Sequence, residues 1–339
     1  MNPRIKFLLQ LVLFGSIGIS LVWLSIHNIP DSEIETTWQS FKNANYFVVL
    51  LSTFVSILAH IVRSWRWNSL LQPLGHNISF KNSFASVMVG SLVGYVVPRG
   101  GGDLIRCGIA TRYEKVPFTA ALGTLVTERI VDFLLLLTLF FITFALQFKE
   151  LIGLTNLYVF TPLAKNFSTN QNLFYILVTT WTLLILALIV FRKKIKKILK
   201  GNAGDLLQNF GNGIKSIKDV KNLKLFILQS VAIWLFYFLT LYICFGCFHE
   251  TKTLGLKPAL SLLLFSTIGG IVSPGGIGAY QMISTQVLLY YGVMGSVSFS
   301  FPWIAWGLQF IAVILIGGLC FLLLPILNRD KLETTQQSI

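Results

Sequence analysis

Long apolar runs alternate with short basic or polar segments along this chain. Runs at 5–26, 46–70, 118–147, 173–191, 224–248 and 302–327 each have the length of a bilayer-spanning helix, which takes about 20 apolar residues, and few charges interrupt most of them. Between the second and third runs, and again between the fifth and sixth, lie shorter apolar stretches broken by a proline and several glycines. These read GYVVPRGGGD, Gly94 to Asp103, and GIVSPGGIGA, Gly270 to Ala279. Pro98 aligns with Pro274 at an offset of 176, and that offset carries Gly94, Val96, Gly100 and Gly102 onto Gly270, Val272, Gly276 and Gly278. The chain therefore contains an internal repeat. Proline removes a donor and glycine loosens the backbone, so each string predicts a helix break. In a bilayer such a break is tolerated only where it is buried in protein or lines a polar cavity. Matching breaks in two halves point to a transporter's binding site.

Composition places the chain in a membrane. Of its 339 residues 54% are hydrophobic and only 12% charged, against about 25% charged in a soluble domain. A net charge of +14 in a soluble protein would suggest nucleic acid; in a membrane protein its distribution encodes orientation instead. Segments 1–6, 63–82, 98–117, 192–224 and 328–339 hold 21 of the 27 lysines and arginines, whereas 27–45, 148–172 and 249–258, read as loops, hold five. The positive-inside rule puts the first group, and both termini, in the cytoplasm.

The stretch 83–97 must then enter from and return to the cytoplasmic side, because 15 residues of helix reach only about 22 Å of a roughly 30 Å hydrocarbon core. The spacing predicts a re-entrant hairpin over 83–112 with Pro98 to Gly102 at its tip, and a second over 259–291 from the opposite side with Pro274 to Gly278 at its tip. The predicted fold is an all-α integral membrane domain. It has six crossing helices and two opposed re-entrant hairpins as an inverted-topology repeat, with halves at 1–150 and 173–327.

Smaller features fit this frame. Arg4 and Lys6 precede the first apolar run as in a signal peptide, but no small-residue cleavage site follows, so the run is expected to remain as the first helix. Segment 192–224 reads as a basic amphipathic linker on the inner leaflet, and the polar tail after Arg329 as disordered. Cys244 and Cys247 form a C-x-x-C without a second Cys/His pair, and read as small packed residues. His27, His60, His76 and His249 show no metal-binding spacing. No cofactor is expected, and no Walker-type phosphate loop is present to use ATP.

Three groups of residues could carry chemistry. TERIVD places Glu128, Arg129 and Asp132 about 15 Å into the membrane, where each charge costs about 3 kcal/mol on insertion scales. Arg129 and Asp132 are spaced to pair on one helix, and the trio has a net charge of −1. The first tip offers Arg99, Asp103 and Arg106 around Gly100 and Gly102. Arginine forks hold phosphate in two bonds, and glycine backbones expose N–H groups to an anion. The second tip adds Pro274, Gly275, Gly276 and Gly278 with Gln281 beyond it. RSWRW, with Arg63, Trp65, Arg66 and Trp67, reads first as an interfacial anchor and second as a headgroup entry site.

The strings VPRGGGDLIRCG, TERIVD and SPGGIGAYQ together resemble the lysylphosphatidylglycerol synthase transmembrane-region family, the flippase-like domains of bacterial membranes. The resemblance covers essentially the whole chain. It departs at Asp103 and Gln281, where family members commonly carry Glu, and at the tip arginine, Arg99, which stands one position early. It implies translocation of a polar-headed lipid between leaflets of a bacterial cytoplasmic membrane. Together with the residues, it predicts a flippase for an anionic phospholipid or polyprenyl-phosphate-linked lipid. Arg106, Arg129 and the N–H groups of Gly100, Gly102, Gly276 and Gly278 would hold the headgroup. The alternative is a membrane-embedded lipid-modifying enzyme, or its accessory subunit, with Glu128 or Asp132 as base.

Overall fold

The computed structural model describes residues 23, 31–97, 100–155 and 220–329. The apolar runs 5–26 (but for Trp23) and 173–191, the linker up to residue 219, the tail from residue 330, and Pro98 and Arg99 lie outside the described residues.

Every regular element among the described residues is helical. In chain order these are α1 (Asp31–Asn43), α2 (Tyr46–Leu71), α3 (Phe80–Val96), α4 (Gly101–Glu114), α5 (Phe118–Leu146), α6 (Phe148–Thr155), α7 (Leu223–Cys244), α8 (Leu256–Val272), α9 (Ala279–Tyr290) and α10 (Gly295–Leu327). Short 3₁₀ turns and the single turn His249–Lys252 complete the set.

Among the described residues, four helices are long and apolar enough to cross a membrane: those within Tyr46–Leu74, Phe118–Leu146, Leu223–Cys247 and Gly295–Leu327. Their outer faces carry exposed large apolar side chains such as Phe141, Leu228 and Leu322, a surface suited to lipid rather than water. The protein is a multi-pass helical membrane protein.

Local sequence accounts for several boundaries. The side chains of Asn45 and Asn222 accept hydrogen bonds from the N–H groups of Val48 and Leu225 at the starts of α2 and α7, satisfying donors that a helix start leaves open. Lys115 turns left-handed after α4, and Pro117 precedes α5. α10 begins at Gly295, seven residues before the apolar run expected from Pro302, with Pro302 and Pro325 inside it. Its first turns are rich in serine, and Ser298 and Ser300 donate to the carbonyls of Val293 and Ser296. Such side-chain bonds and packed neighbours let a membrane helix retain proline. Segments 27–45 and 148–172, expected as loops, contain α1 and α6. Both are short amphipathic helices beside long spans, which a search for long apolar runs passes over.

The repeat is visible in the elements. Shifted by the 176-residue offset, α3 falls on α8 at both ends, and α2, α4 and α5 fall on α7, α9 and α10 within a few residues. In each half the two short helices pack together as a hairpin, α3 on α4 and α8 on α9. Each hairpin also packs on the long helix of the other half, α3 on α10 and α8 on α5.

Hydrogen bonds locate the hairpin bases. Glu114, ending α4, accepts from Ser79 and Asn82 at the start of α3, while Lys81 donates to the last carbonyl of α10, Leu327. At the far end of α5, Gln147 donates to the Lys257 carbonyl at the start of α8 and accepts from Tyr291 just beyond α9. α5 has 29 residues, about 43 Å of helix, and separates the two bases.

Among the described residues the core has three parts. The largest, around Leu262, Leu288, Phe245 and Phe301, joins α7 to α10 and takes in Cys244 and Cys247. A second, around Trp67, Leu71, Cys107 and Leu125, joins α2, α4 and α5. The third packs Ala85, Val89 and Tyr113 against Leu324.

Candidate functional site

Glycine sets how closely the hairpin arms approach. A Cβ on Gly102 would lie 2.1 Å from the Gly90 carbonyl oxygen, so α4 meets α3 backbone to backbone. Gly100 turns the chain with φ +97°, a left-handed conformation that only glycine adopts cheaply. The second tip uses the same device at Gly275, Gly276 and Gly278. Gly275 lies against Tyr95, near the end of α3: a Cβ there would fall 2.4 Å from the Tyr95 ring and 3.0 Å from its Cα. The tip of the second hairpin thus touches the end of the first hairpin's leading arm. The Trp306 indole N–H donates to the Gly275 carbonyl at 3.0 Å, and Phe310 stacks on Trp306 while meeting the edge of Tyr95.

Beside this junction lies a seven-residue charge cluster from three helices. Arg63 and Arg66 come from α2, Asp103 and Arg106 from α4, and Glu128, Arg129 and Asp132 from α5. Arg66 is fully buried and grips Asp132 with both terminal nitrogens, at 2.7 and 3.2 Å. Arg106 donates to Glu128 at 3.0 Å and lies 4.5 Å above the Trp67 ring, whose own N–H is held by Thr124. Arg129 holds Asp103 in two bonds of 2.7 and 3.1 Å.

Arg63 is the least engaged. Its nearest carboxylate oxygen is 3.9 Å away on Asp132, and its guanidinium faces the Tyr237 ring. Among the described residues, four arginines against three carboxylates leave the cluster one positive charge in excess. In the low dielectric between packed helices an uncompensated cation is costly unless an anion joins it.

Among the described residues, two cavities adjoin the cluster. The larger, about 820 Å³, is lined by Arg63, Asp103, Arg106, Arg129 and Asp132, with Trp234 and Tyr237 opposite. The smaller, about 360 Å³, extends to Gly275 at the second tip and is lined by His60, Ser91, Tyr95 and Ser273. Arg63 and Arg129 belong to the walls of both, as do Gly94 and Gly270, which the repeat matches to each other. A Cβ on either glycine would meet nothing within 4 Å. Both volumes fall within the range of about 300–1,000 Å³ usual for small-ligand sites.

The structure brings most of the predicted residues together. Gly100, Gly102, Asp103, Arg106, Arg129 and Asp132 line the larger cavity, Gly275 lines the smaller, and Glu128 lies buried behind them, bonded to Arg106. Arg99 is outside the described residues.

Three expectations are corrected and one is met with a qualification. The expected pairing of Arg129 with Asp132 is present as an ion pair of 3.8 Å, while the closer bonds run from Arg129 to Asp103 and from Arg66 to Asp132. Neighbours three apart on one helix give way here to better-aligned partners on other helices. The excess negative charge expected of Glu128, Arg129 and Asp132 becomes an excess positive one once α2 and α4 contribute. Arg66 and Trp67, expected as an interfacial anchor, are fully buried, and of that string only Trp65 is well exposed.

Finally, Gly276 and Gly278 do not offer bare N–H groups. The first donates to the Ser273 carbonyl and the second to the Gln281 side chain, at 3.0 and 2.8 Å. Gln281 caps α9 and is fully buried; none of the three is among the residues lining either cavity. Pro274 opens the 3₁₀ turn at that tip.

The sequence offered Arg63 only in a second reading, as part of a headgroup entry site, and His60 not at all as a site residue. The signal was their spacing: His60, Arg63 and Trp67 recur at three and four residues inside an apolar run, which puts them on one helix face.

Comparison with known proteins agrees with a membrane protein. The chain is 25% identical over 270 residues to the UPF0104 membrane protein MJ1595 of Methanocaldococcus jannaschii, covering 76% of this chain and 78% of that one. It is 24% identical over 297 residues to a UPF0104 membrane protein of Methanothermobacter thermautotrophicus, covering 83% and 86%. No solved structure matches significantly. The family model described as the lysylphosphatidylglycerol synthase TM region matches residues 7–317, which take in both glycine tips and the whole charge cluster. The chain belongs to the lysylphosphatidylglycerol synthase transmembrane-region family.

Proposed function

We propose that this protein moves an anionic phospholipid or polyprenyl-phosphate-linked lipid between the leaflets of a cytoplasmic membrane, binding the phosphate between Arg63 and Arg129. The observation that carries the reading is the position of these two arginines, on the shared wall of two cavities beside the contact of the second hairpin's tip with the end of α3. Hairpins based at opposite ends of α5 suit re-entrant elements of an inverted repeat, and rocking of one half against the other would expose the phosphate to each leaflet in turn. Acyl chains would remain outside, against the exposed apolar faces of α5, α7 and α10. The charge distribution supports a cytoplasmic side for both termini.

A transporter fits the carboxylates better than an enzyme does. Glu128 and Asp132 are each held by a buried guanidinium, an arrangement that fixes charge and opposes proton abstraction.

The test is leaflet-specific quenching of labelled lipids in vesicles with and without the protein. Accelerated movement of anionic lipids, reduced by Arg63→Gln or Arg129→Gln, is expected. Equal movement of all headgroups regardless of these changes would leave a nonspecific membrane defect, and no movement with chemical change of the lipid would assign an enzyme.

A further inference from the structure

The repeat relates the walls of the larger cavity to one another. The 176-residue offset carries Ser91 onto Thr267 and Gly94 onto Gly270, and all four line that cavity. Their bonds correspond as well: Ser91 donates to the Val87 carbonyl and Thr267 to the Leu263 carbonyl, and the offset matches Val87 to Leu263. Around the cavity the two halves are thus equivalent.

One residue further along, the equivalence ends. Tyr95, near the end of α3, is held in place. Its ring stands perpendicular to those of Trp306 and Phe310 on α10 and lies against Gly275, whose carbonyl accepts from the Trp306 indole. Its match on α8 is Ile271, and the matches of Trp306 and Phe310 on α5 are Ile130 and Leu134. These three are uncovered, Ile271 40%, Ile130 44% and Leu134 55% exposed.

The same helices meet at both junctions, since α8 packs on α5 as α3 packs on α10. Trp306 and Phe310 are four apart, as are Ile130 and Leu134, so each pair shares one helix face. Only the first junction has its side chains closed over. Ile271 and its neighbour on α5, Phe133, line the larger cavity and are exposed, so the cavity reaches the outside of the bundle at the second junction.

We infer that the two junctions are alternating gates. Here the aromatic gate, Tyr95 with Trp306 and Phe310, is shut, and the aliphatic gate, Ile271 with Ile130 and Leu134, is open. In a second state the halves exchange conformations, the aliphatic gate shuts and the aromatic one parts. Ring contacts and the indole hydrogen bond make the aromatic closure the stronger of the two, so it is the resting state. The inference rests on the lipid-translocation reading only for what passes between the gates.

The test is disulfide trapping in membranes with copper phenanthroline, on a Cys320→Ser background because the other three cysteines are buried. Tyr95→Cys with Phe310→Cys reports the aromatic gate, and Ile271→Cys with Leu134→Cys the aliphatic one, a bond requiring close approach of the two Cβ atoms. Ile271→Cys with Ile130→Cys is the second aliphatic pair, and thermal midpoints establish that each variant folds. The aromatic pair should form quickly and the aliphatic pair more slowly. Trp306→Phe keeps a ring but loses the bond to Gly275, and should speed the aliphatic pair about fivefold, the worth of one hydrogen bond.

Failure of both aliphatic pairs to form in folded protein, or a rate that Trp306→Phe leaves unchanged, would overturn the gates, even if vesicles show lipid movement. Aliphatic pairs that form and respond to Trp306→Phe, in a protein that moves no lipid, would support the gates and remove the translocation reading.

Discussion

The guanidinium of Arg66 and the carboxylate of Asp132 meet in parallel, two bonds of 2.7 and 3.2 Å joining α2 to α5. Arg66 is fully buried, so this pair is a structural tie at the back of the cluster, whereas Arg63, one helical turn away, faces the cavities.

Breaking this tie from one side should be worse than removing it. Asp132→Leu alone strands Arg66 and is expected to lower stability by about 3–5 kcal/mol, whereas Arg66→Met with Asp132→Leu should regain most of it. The excess of one positive charge survives the double change, so transport should too. Thermal midpoints in detergent, read beside vesicle transport, check both halves of the statement. A double variant as unstable as the single one would show that the tie is needed for folding itself.

Arg63 and Arg106 should separate function from stability. Arg63→Gln removes a group with only a 3.9 Å ionic contact, so folding should be nearly unchanged while affinity for anionic lipid falls about 10–100-fold. Arg106→Gln loosens the grip on buried Glu128, and its main effect should be a lower midpoint. Thermal melts and lipid titrations on the same preparations decide it.

Gly94 and Gly270 should tolerate bulk structurally but not functionally. Both are helical and a Cβ on either meets nothing within 4 Å. Gly94→Leu and Gly270→Leu should therefore preserve or raise stability, by up to about 1 kcal/mol from helix propensity, and abolish transport by filling the cavities. Gly102→Ala is the contrast, because its Cβ would overlap the Gly90 carbonyl; it should fold poorly. Retained transport in both leucine variants would place the path elsewhere.

Lys81 and Lys257 are exposed, and the 176-residue offset matches one to the other. Each begins a hairpin, and α5 separates the two bases. Cysteines at these positions should react with impermeant reagent from opposite sides of the membrane, Lys81→Cys from the cytoplasm. Labelling from one side would refute opposed hairpins.

Membrane class, the repeat, the long helices and the glycine tips were legible in the sequence because each depends on local properties. Apolar length sets a span, proline with glycine sets a break, and repetition at Pro98 and Pro274 needs no coordinates. Most of the seven-residue cluster was legible: Asp103, Arg106, Glu128, Arg129 and Asp132 stood out as charges in apolar sequence. Their partners did not, because a carboxylate takes whichever guanidinium packing brings into alignment. For Asp132 that is Arg66, 66 residues away, in preference to Arg129 three residues away. Only tertiary packing buried Arg66, turned Arg63 toward the cavities, spent the N–H groups of Gly276 and Gly278 on local turns, and set Gly275 against Tyr95. Sequence spacing specifies which residues share a helix face, and the crossing of α2, α4 and α5 decides which of those faces meet.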